Sequence, residues 1–357
     1  MIKESDENGQ SIIMGIKLRE YIFIVLGLIA IAVNYIFGEF PDLYEIVYLR
    51  GIFQIIRVLY DHTLGFIPFP MVYVLFFAVV HIIYRILTFE KLRSSKSIYG
   101  KISGLFLPIL SFAGAIVFFF YFLWGYNYNQ VSIKQHLELP DVAVDTVALY
   151  EASTFIVQKM HSLRSKVTAD SVQLDAAMIP EKLESDIRGH LENLLTSWDI
   201  PTMGRVRVRR LWPKGLLLRI STAGVYIPYV FEGHIDAGLH PIQVPFVMAH
   251  EMSHGYGLAD EGTCNFTGFL ACQYSDDPFV RYSGFMSLWR YMASNLRRAS
   301  KPLYMDMMKN LPSDVRSDLR AVMKEMDKYP DVMPKVRDAV YDSYLKSHGV
   351  AGGLSNY

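Results

Sequence analysis

The sequence predicts an α+β protein in which N-terminal transmembrane helices precede a mostly helical domain with a small β-sheet. Hydrophobic residues make up 52% of the 357 residues, and the mean hydropathy of +0.21 is high for a chain that is soluble throughout. Apolar runs long enough to cross a bilayer occur only before residue 129, and helical and strand-like patterns alternate after it. We therefore predict a membrane domain over residues 1–128 and a second domain over residues 129–357.

Three apolar runs, at residues 21–37, 66–88 and 105–124, predict three transmembrane helices. The first run alone would extend about 26 Å as a helix, close to the thickness of the hydrocarbon layer. No small-residue cleavage pattern follows it, which argues against a signal peptide. The aromatic segment from Trp124 to Tyr128 is predicted to lie at the membrane interface.

An amphipathic stretch lies between the first two runs, at residues 46–60. Arg50 and Arg57 are seven residues apart and would share one face of an α-helix. We expect this stretch to rest on the membrane surface.

A cluster of basic residues between the second and third runs predicts the orientation of the chain. By the positive-inside rule this segment is cytoplasmic, so three spans would place residues 129–357 outside the cytoplasm. The residues concerned are Lys91, Arg93, Lys96 and Lys101, against the single acid Glu90.

Charge and cysteine content exclude several classes of protein. The chain has 35 basic and 35 acidic residues, so no net charge favours nucleic acid, and we predict no nucleic-acid partner. Cys264 and Cys272 are eight residues apart on one predicted helix, about 12 Å along its axis, which is too far for a disulfide. Both are expected to be buried thiols.

The segment with the most distinct chemistry is His250-Glu251-Met252-Ser253-His254. In a helix, histidines four residues apart lie on one face and can share a Zn²⁺ ion. Glu251 lies about 100° around the helix, where its carboxylate could act as a general base on a water molecule beside the metal. The alternative is a solvated polar face, which the apolar residues before His250 make less favourable.

Two adjacent acids could complete the metal site after the turn at Gly255 and Gly257. Asp260 occupies the position of the third ligand in the extended motif of the metzincins. Glu261 begins a Glu-x-x-x-Asn pattern similar to the Glu-x-x-x-Asp of the gluzincins, and we favour it as the ligand. Asp260 is then expected to be the N-cap of the second helix, and Asn265 to accept a hydrogen bond from a ligand histidine.

The second domain also contains predicted helices at residues 142–166 and 181–197 and predicted strands at 205–209, 216–220 and 225–231. Pro228 places the last strand at a sheet edge, where it could pair with an extended substrate; an ordinary edge strand is the alternative. His234 and His240 follow in a glycine-containing connection and could approach the metal, although exposed loop histidines are commoner.

One side chain of the helix that follows Asp277 and Pro278 could donate a hydrogen bond to a developing oxyanion. Tyr282 is our first choice. The alternative is a structural role in which the arginines neutralise Asp276 and Asp277. The candidates on this helix are Arg281, Tyr282, Arg290 and Tyr291.

The chain resembles a little-characterised bacterial family of membrane proteins with three N-terminal spans and a zinc-peptidase domain related in pattern to the gluzincins. That family usually has Glu-x-Glu-Ala-Asn-Phe after the second histidine, whereas this chain keeps Glu261, Asn265 and Phe266 but has Thr263 at the second glutamate. The resemblance implies a zincin-like fold and Glu261 as a zinc ligand. It rests on HEMSH and on the segments 67–69, 124–128, 224–229, 261–266, 275–278, 281–284 and 344–350.

These observations predict a membrane-anchored zinc metallopeptidase in the bacterial cytoplasmic membrane, with its catalytic domain on the extracytoplasmic side. Its partners would be a peptide or protein substrate and membrane lipid. His250, His254 and Glu261 would bind Zn²⁺, Glu251 and Tyr282 would be catalytic, and Asn265 and Asp260 would support the ligands. The alternatives are a non-catalytic, membrane-tethered zinc-binding or sensory module, and a zinc hydrolase of a non-peptide amide.

Overall fold

A computed structural model describes residues 7–88, 98–140, 142, 145–169, 172–335, 338–339 and 342–343. The predicted basic cluster falls largely on residues 89–97, which lie outside the described residues, as does the segment 344–350 used for the family resemblance. Within the described part, the prediction of a mostly helical chain with one small sheet is confirmed.

The α-helices are α1 (Glu7–Glu39), α2 (Pro41–Leu43), α3 (Phe53–Asp61), α4 (Val72–Leu87), α5 (Ile98–Leu123), α6 (Ile133–His136), α7 (Thr146–Val167), α8 (Leu183–Ser197), α9 (Val244–Gly255), α10 (Glu261–Gln273), α11 (Pro278–Ala299), α12 (Lys301–Lys309) and α13 (Ser313–Met326). A π-helix spans Tyr44–Ile52. Short 3₁₀ helices occur at Leu64–Phe66, Gly125–Asn129, Ala176–Met178, Leu218–Ile220, Pro228–Val230 and Pro241–Gln243. The strands are β1 (Arg207–Leu211), β2 (Gly224–Ile227) and β3 (Glu232–Asp236).

Among the described residues, two helices are long and apolar enough to cross a membrane, judged by length and composition. They contain the segments Tyr21–Glu39 in α1 and Phe106–Leu123 in α5. The predicted second span is shorter than expected, because α4 has 16 residues and begins at Val72 rather than at residue 66. Pro68 and Pro70 explain the late start, since a proline disfavours the helical conformation of the residue before it.

The three apolar helices α1, α4 and α5 alternate in direction. Helices α1 and α5 run side by side towards the second domain, with Gly27 against Gly114 and the Asn129 amide donating to Asn34 at 2.9 Å. Helix α4 begins at the domain, where the backbone N–H of Met71 donates to Glu232 at 2.8 Å. Such alternation is the topology that three successive spans would require.

The sheet has the order β1-β3-β2, with β3 parallel to β1 and antiparallel to β2. The predicted strand at 216–220 is wrong, because Leu218–Ile220 form a 3₁₀ helix. The central strand β3 was missed, since its glycine and histidine suggested a loop. Gly233 is needed there because a Cβ at this position would lie 2.9 Å from the Cβ of Glu251 on α9.

Two hydrophobic cores support the second domain. One lies between the sheet and helices α8, α9 and α10, and includes Ile187, Ile235 and Met252. The other lies between α7, α11, α12 and α13, and includes Met160 and Trp289. Helix α9 belongs to the first core, where it packs against the sheet and against helices α8 and α10, and this fixes the position of its polar residues.

A third, aromatic cluster joins the ends of the apolar helices to the second domain. Trp124 and Tyr126 are buried in it, at 5% and 6% exposure, against Tyr226 and Phe231 of the sheet region. The segment Trp124–Tyr128, predicted to lie at the membrane interface, is thus largely buried between the apolar helices and the second domain. The sequence could not distinguish the two roles, because both favour large amphipathic rings.

The segment predicted to rest on the membrane surface packs against protein along one face. Arg57 is buried, with its guanidinium carbon 4.5 Å from the ring centroid of Tyr256, while Arg50 is partly exposed and pairs with Asp199. The two arginines thus have different surroundings, and the segment between them changes from the π-helix Tyr44–Ile52 to α3.

Candidate metal centre

Helix α9 and the turn after it bring the predicted ligands together. His250 and His254 lie on one side of the helix, with ring centroids 4.9 Å apart. The helix ends at Gly255, and Gly257 adopts a positive φ of 95° that reverses the chain. Asp260 then caps α10, accepting a hydrogen bond from the Thr263 N–H at 2.6 Å, as expected for an N-cap.

The reversal directs the carboxylate of Glu261 towards both histidine rings. Its Oε2 lies 3.2 Å from Nε2 of His250, and its Oε1 lies 3.6 Å from Nε2 of His254. Ligand atoms from the three residues all lie within 4.8 Å of one another. Two imidazoles and one carboxylate at these separations match the three protein ligands of catalytic zinc sites.

The hydrogen bonding of His254 suits this role. Its Nδ1 lies 2.8 Å from the carbonyl oxygen of Leu258 and 3.3 Å from the thiol of Cys264. Donation from Nδ1 to this carbonyl leaves the lone pair of Nε2 free and pointing towards Glu261. Burial and the charge on His250 lower the pKa of His254, which favours the neutral form that binds a metal.

The pKa values of the other two candidate ligands move in opposite directions. Burial opposes ionisation of His250, but its hydrogen bond to Glu261 and the charges of Glu251 and Glu261 outweigh burial and raise the pKa of His250. For Glu261, burial raises the pKa, and the two histidines more than offset this, so that the pKa is lowered. A proton held between His250 and Glu261 in this way is one that a bound cation would displace.

Glu251 lies beside the cluster without joining it. Its side chain is 4% exposed, and its Oε2 has no hydrogen-bond partner among the described residues. Burial raises the pKa of Glu251 to about 8, partly opposed by the charge of His250. A buried, unpartnered carboxylate is costly unless it serves a polar ligand or a water molecule.

Strand β2 forms the wall opposite Glu251. It is the antiparallel edge strand of the sheet, and residues 221–226 and Pro228 line the cavity that contains the three candidate ligands. The cavity has a volume of about 760 Å³. The strand is shorter than predicted, because Pro228 starts the 3₁₀ helix Pro228–Val230.

The structure corrects the predicted oxyanion donor. Tyr282 is fully buried in the core between α7 and α11, and its hydroxyl donates to Asp318 at 3.0 Å. Tyr291 lines the cavity instead, and its hydroxyl donates to Asn265 at 2.9 Å. A separation of nine positions turns the helix by about two and a half turns, so the two tyrosines face opposite sides.

Asn265 lines the cavity, where its side-chain oxygen accepts from Tyr291 at 2.9 Å. A side-chain hydrogen bond with Asn265 also helps to raise the pKa of His250, in line with the predicted contact, although Nδ1 of His250 has no partner at ordinary hydrogen-bond distance among the described residues. Asn265 thus lies beside both Tyr291 and His250. Thr263, at the position of the second glutamate in the family pattern, is buried.

Other candidates lie away from the cluster. His234 is completely buried in β3, and His240 caps the 3₁₀ helix Pro241–Gln243, so neither is an exposed loop residue or lines the cavity. Arg281 and Arg290 also do not line the cavity. Cys264 and Cys272 are buried free thiols, as predicted.

Trp124 is the residue at the site whose role the sequence did not indicate. Its indole N–H donates to the carbonyl oxygen of His254 at 2.8 Å, and its ring lies edge-on to the His254 imidazole at a centroid distance of 6.2 Å. Together with Phe120 and Tyr128 it lines the cavity. Its only sequence signal was its position at the end of an apolar helix, which suggested contact with lipid.

The model of a family described as "Protein of unknown function (DUF3810)" matches residues 48–357, which is most of the chain. No curated protein and no solved structure matches the chain.

Proposed function

The chain belongs to the DUF3810 family, whose function is unknown, and we propose that it is a membrane-anchored zinc metallopeptidase with its catalytic domain on the extracytoplasmic side of the bacterial cytoplasmic membrane. The observation that supports this proposal most strongly is the approach of Glu261 to within 3.2 and 3.6 Å of the two histidines of α9. A zinc ion bound by His250, His254 and Glu261 supplies a Lewis acid that polarises a peptide carbonyl and lowers the pKa of water.

Glu251 supplies the proton transfers. Its unpartnered Oε2 accepts a proton from the attacking water as the oxygen–carbon bond forms. The same oxygen then returns that proton to the leaving nitrogen as the carbon–nitrogen bond breaks. Burial favours this role because it brings the pKa of Glu251 close to neutral, where gaining and losing a proton cost similar free energies.

Strand β2 and Tyr291 position the substrate in this proposal. An extended peptide added to the free edge of β2 would form backbone hydrogen bonds there and carry one carbonyl past Glu251. The hydroxyl of Tyr291, which donates its single proton to Asn265 in the free protein, lines the other side of the cavity. Turned from Asn265 towards the substrate, that hydroxyl would donate to the developing oxyanion and stabilise it.

The proposal is tested by exposing the zinc-loaded protein in detergent to a proteome-derived peptide library, with Glu251→Gln as the matched control. We expect new peptide termini with the wild-type protein and none with Glu251→Gln, although both retain zinc. A zinc-loaded wild-type protein that produces no termini in this library, nor in a membrane-anchored one, would favour a sensory module. Release of amines from non-peptide amides, without cleavage of peptides, would favour the alternative of a zinc hydrolase that acts on a non-peptide amide.

A further inference from the structure

The end of an apolar helix forms part of the wall of the candidate active site. Phe120 belongs to the segment Phe106–Leu123, which is long and apolar enough to cross a membrane, and it lines the same cavity as His250 and His254. Trp124, one residue beyond this segment, is hydrogen-bonded to the backbone of His254. The metal cluster is therefore attached directly to the end of this helix rather than to a distant part of the domain.

The edge strand continues alongside the same helix. The hydroxyl of Tyr229, in the 3₁₀ helix after β2, donates to the carbonyl oxygen of Ile116 at 3.2 Å. Ile116 lies two turns before the end of α5, which is about 10 Å along the helix axis. The chain that leaves β2 thus reaches the level of exposed apolar side chains of α5, including Ile116 and Phe119.

Large apolar side chains are exposed around the junction between the domain and the apolar helices. The backbone N–H and carbonyl of Trp212 are both hydrogen-bonded to the hydroxyl of Tyr73, near the start of α4. Aromatic residues at the ends of apolar helices are typical of a membrane–water interface. The exposed side chains are Phe40 at 61%, Phe66 at 70%, Phe69 at 46% and Trp212 at 58%.

From this placement we infer that the substrate is the juxtamembrane segment of a membrane-anchored polypeptide, an inference that rests on the proposed peptidase function. A strand paired with β2 would run from Glu251, opposite Gly224, to the end of β2 at Ile227, and the substrate chain beyond it would reach the level of Tyr229 within about five residues of Glu251. The substrate residues that reach the level of Tyr229 would enter the membrane–water interface. The cleaved bond is therefore a short, fixed distance from the membrane segment of the substrate.

The position of the edge strand is measured in proteoliposomes without using activity. Because Cys264 and Cys272 are fully buried, a thiol-reactive fluorophore labels Tyr229→Cys selectively. Nitroxide lipids labelled at a shallow acyl position are expected to quench this fluorophore at least threefold more than one at Lys309→Cys, on α12. Equal quenching at the two positions would overturn the inference.

Specificity is measured with two peptide libraries that share one randomised stretch of twelve residues. One library continues into an apolar transmembrane anchor in liposomes with the protein, and the other is soluble. We expect Glu251-dependent cleavage of the anchored library at least tenfold above the soluble one, concentrated about five residues from the anchor, and a loss of cleavage when a ten-residue hydrophilic spacer is inserted before the anchor.

The outcomes separate this inference from the function on which it rests. Equal cleavage of both libraries, or cleavage that ignores the spacer, would leave a peptidase and overturn the membrane-proximal substrate. Cleavage of neither library by the zinc-loaded protein would remove the peptidase proposal and this inference together.

Discussion

Gly224 on the edge strand lies directly against the carboxylate of Glu251. A Cβ built on Gly224 would come within 2.5 Å of Oε1 and 2.8 Å of Cγ of Glu251, closer than such atoms approach. The absence of a side chain at this position therefore sets the distance between the edge of the sheet and the proposed general base.

Replacing Gly224 with Ala should displace the carboxylate of Glu251 and lower kcat on a cleaved peptide by about 100-fold, because misplacing a reacting group by about 1 Å has that effect. Zinc content should not change, since the three atoms nearest to the added Cβ all belong to Glu251 and none to a candidate ligand. The matched control is Gly189→Ala on α8, where a Cβ would meet no atom within 4 Å. Unchanged kcat in Gly224→Ala would contradict the assigned role of Glu251.

Tyr291→Phe should lower kcat by about 100-fold with little change in KM, because the lost hydroxyl would act on the oxyanion only in the transition state. Tyr282→Phe is the matched control on the same helix. It should keep its kcat and lose about 2 kcal/mol of unfolding free energy, since it removes a hydrogen bond to the buried carboxylate of Asp318. The reverse pattern would restore Tyr282 as the donor.

Trp124→Phe should lower the unfolding free energy by about 1 kcal/mol more than Trp289→Phe does. Both changes shrink a buried ring by the same atoms, but only Trp124 loses a hydrogen bond, because Nε1 of Trp289 has no partner among the described residues. Denaturant titration of both variants in detergent measures the difference. Equal losses of unfolding free energy would show that the hydrogen bond from Trp124 to His254 does not stabilise the contact between α5 and the second domain.

Zinc binding at pH 7 should release protons, about one of them from Glu251. Burial raises the pKa of Glu251 to about 8, which leaves it largely protonated without a metal, and the pKa of His250 is raised as well; a nearby dication lowers both pKa values. Calorimetry in buffers of different ionisation enthalpy counts the protons. The release should shrink as the pH rises above 8 and should be smaller in Glu251→Gln; a heat of binding independent of the buffer would contradict these protonation states.

The sequence predicted the parts of the site that depend on local spacing. Two histidines four residues apart, the turn at Gly257 and the cap at Asp260 are all determined within about 12 residues, so helix geometry alone placed them. Contacts between distant segments were not predictable in this way. The bond from Trp124 to His254 joins residues 130 positions apart, and no local pattern distinguishes it from a lipid-facing tryptophan.

The errors in the fold have a similar cause. Strand β3 was taken for a loop because Gly233 and His234 are poor strand formers, yet β3 is the central strand and Gly233 admits α9. Arg57 was placed on a helix resting on the membrane surface, although the second domain buries it against Tyr256. Tertiary packing overrode local propensity at each of these positions.

The central claim is that His250, His254 and Glu261 bind one zinc ion, and metal analysis of the purified full-length protein tests it most directly. We expect one zinc per chain in the wild type, in Glu251→Gln and in the control His62→Ala, which changes an exposed histidine outside the cluster. His250→Ala and Glu261→Ala each remove a proposed direct ligand and should lower zinc affinity by more than about 100-fold, because changing a residue that only supports a ligand already costs up to about 100-fold. A wild-type protein that binds no zinc, or variants that bind it as tightly as the wild type, would contradict the account.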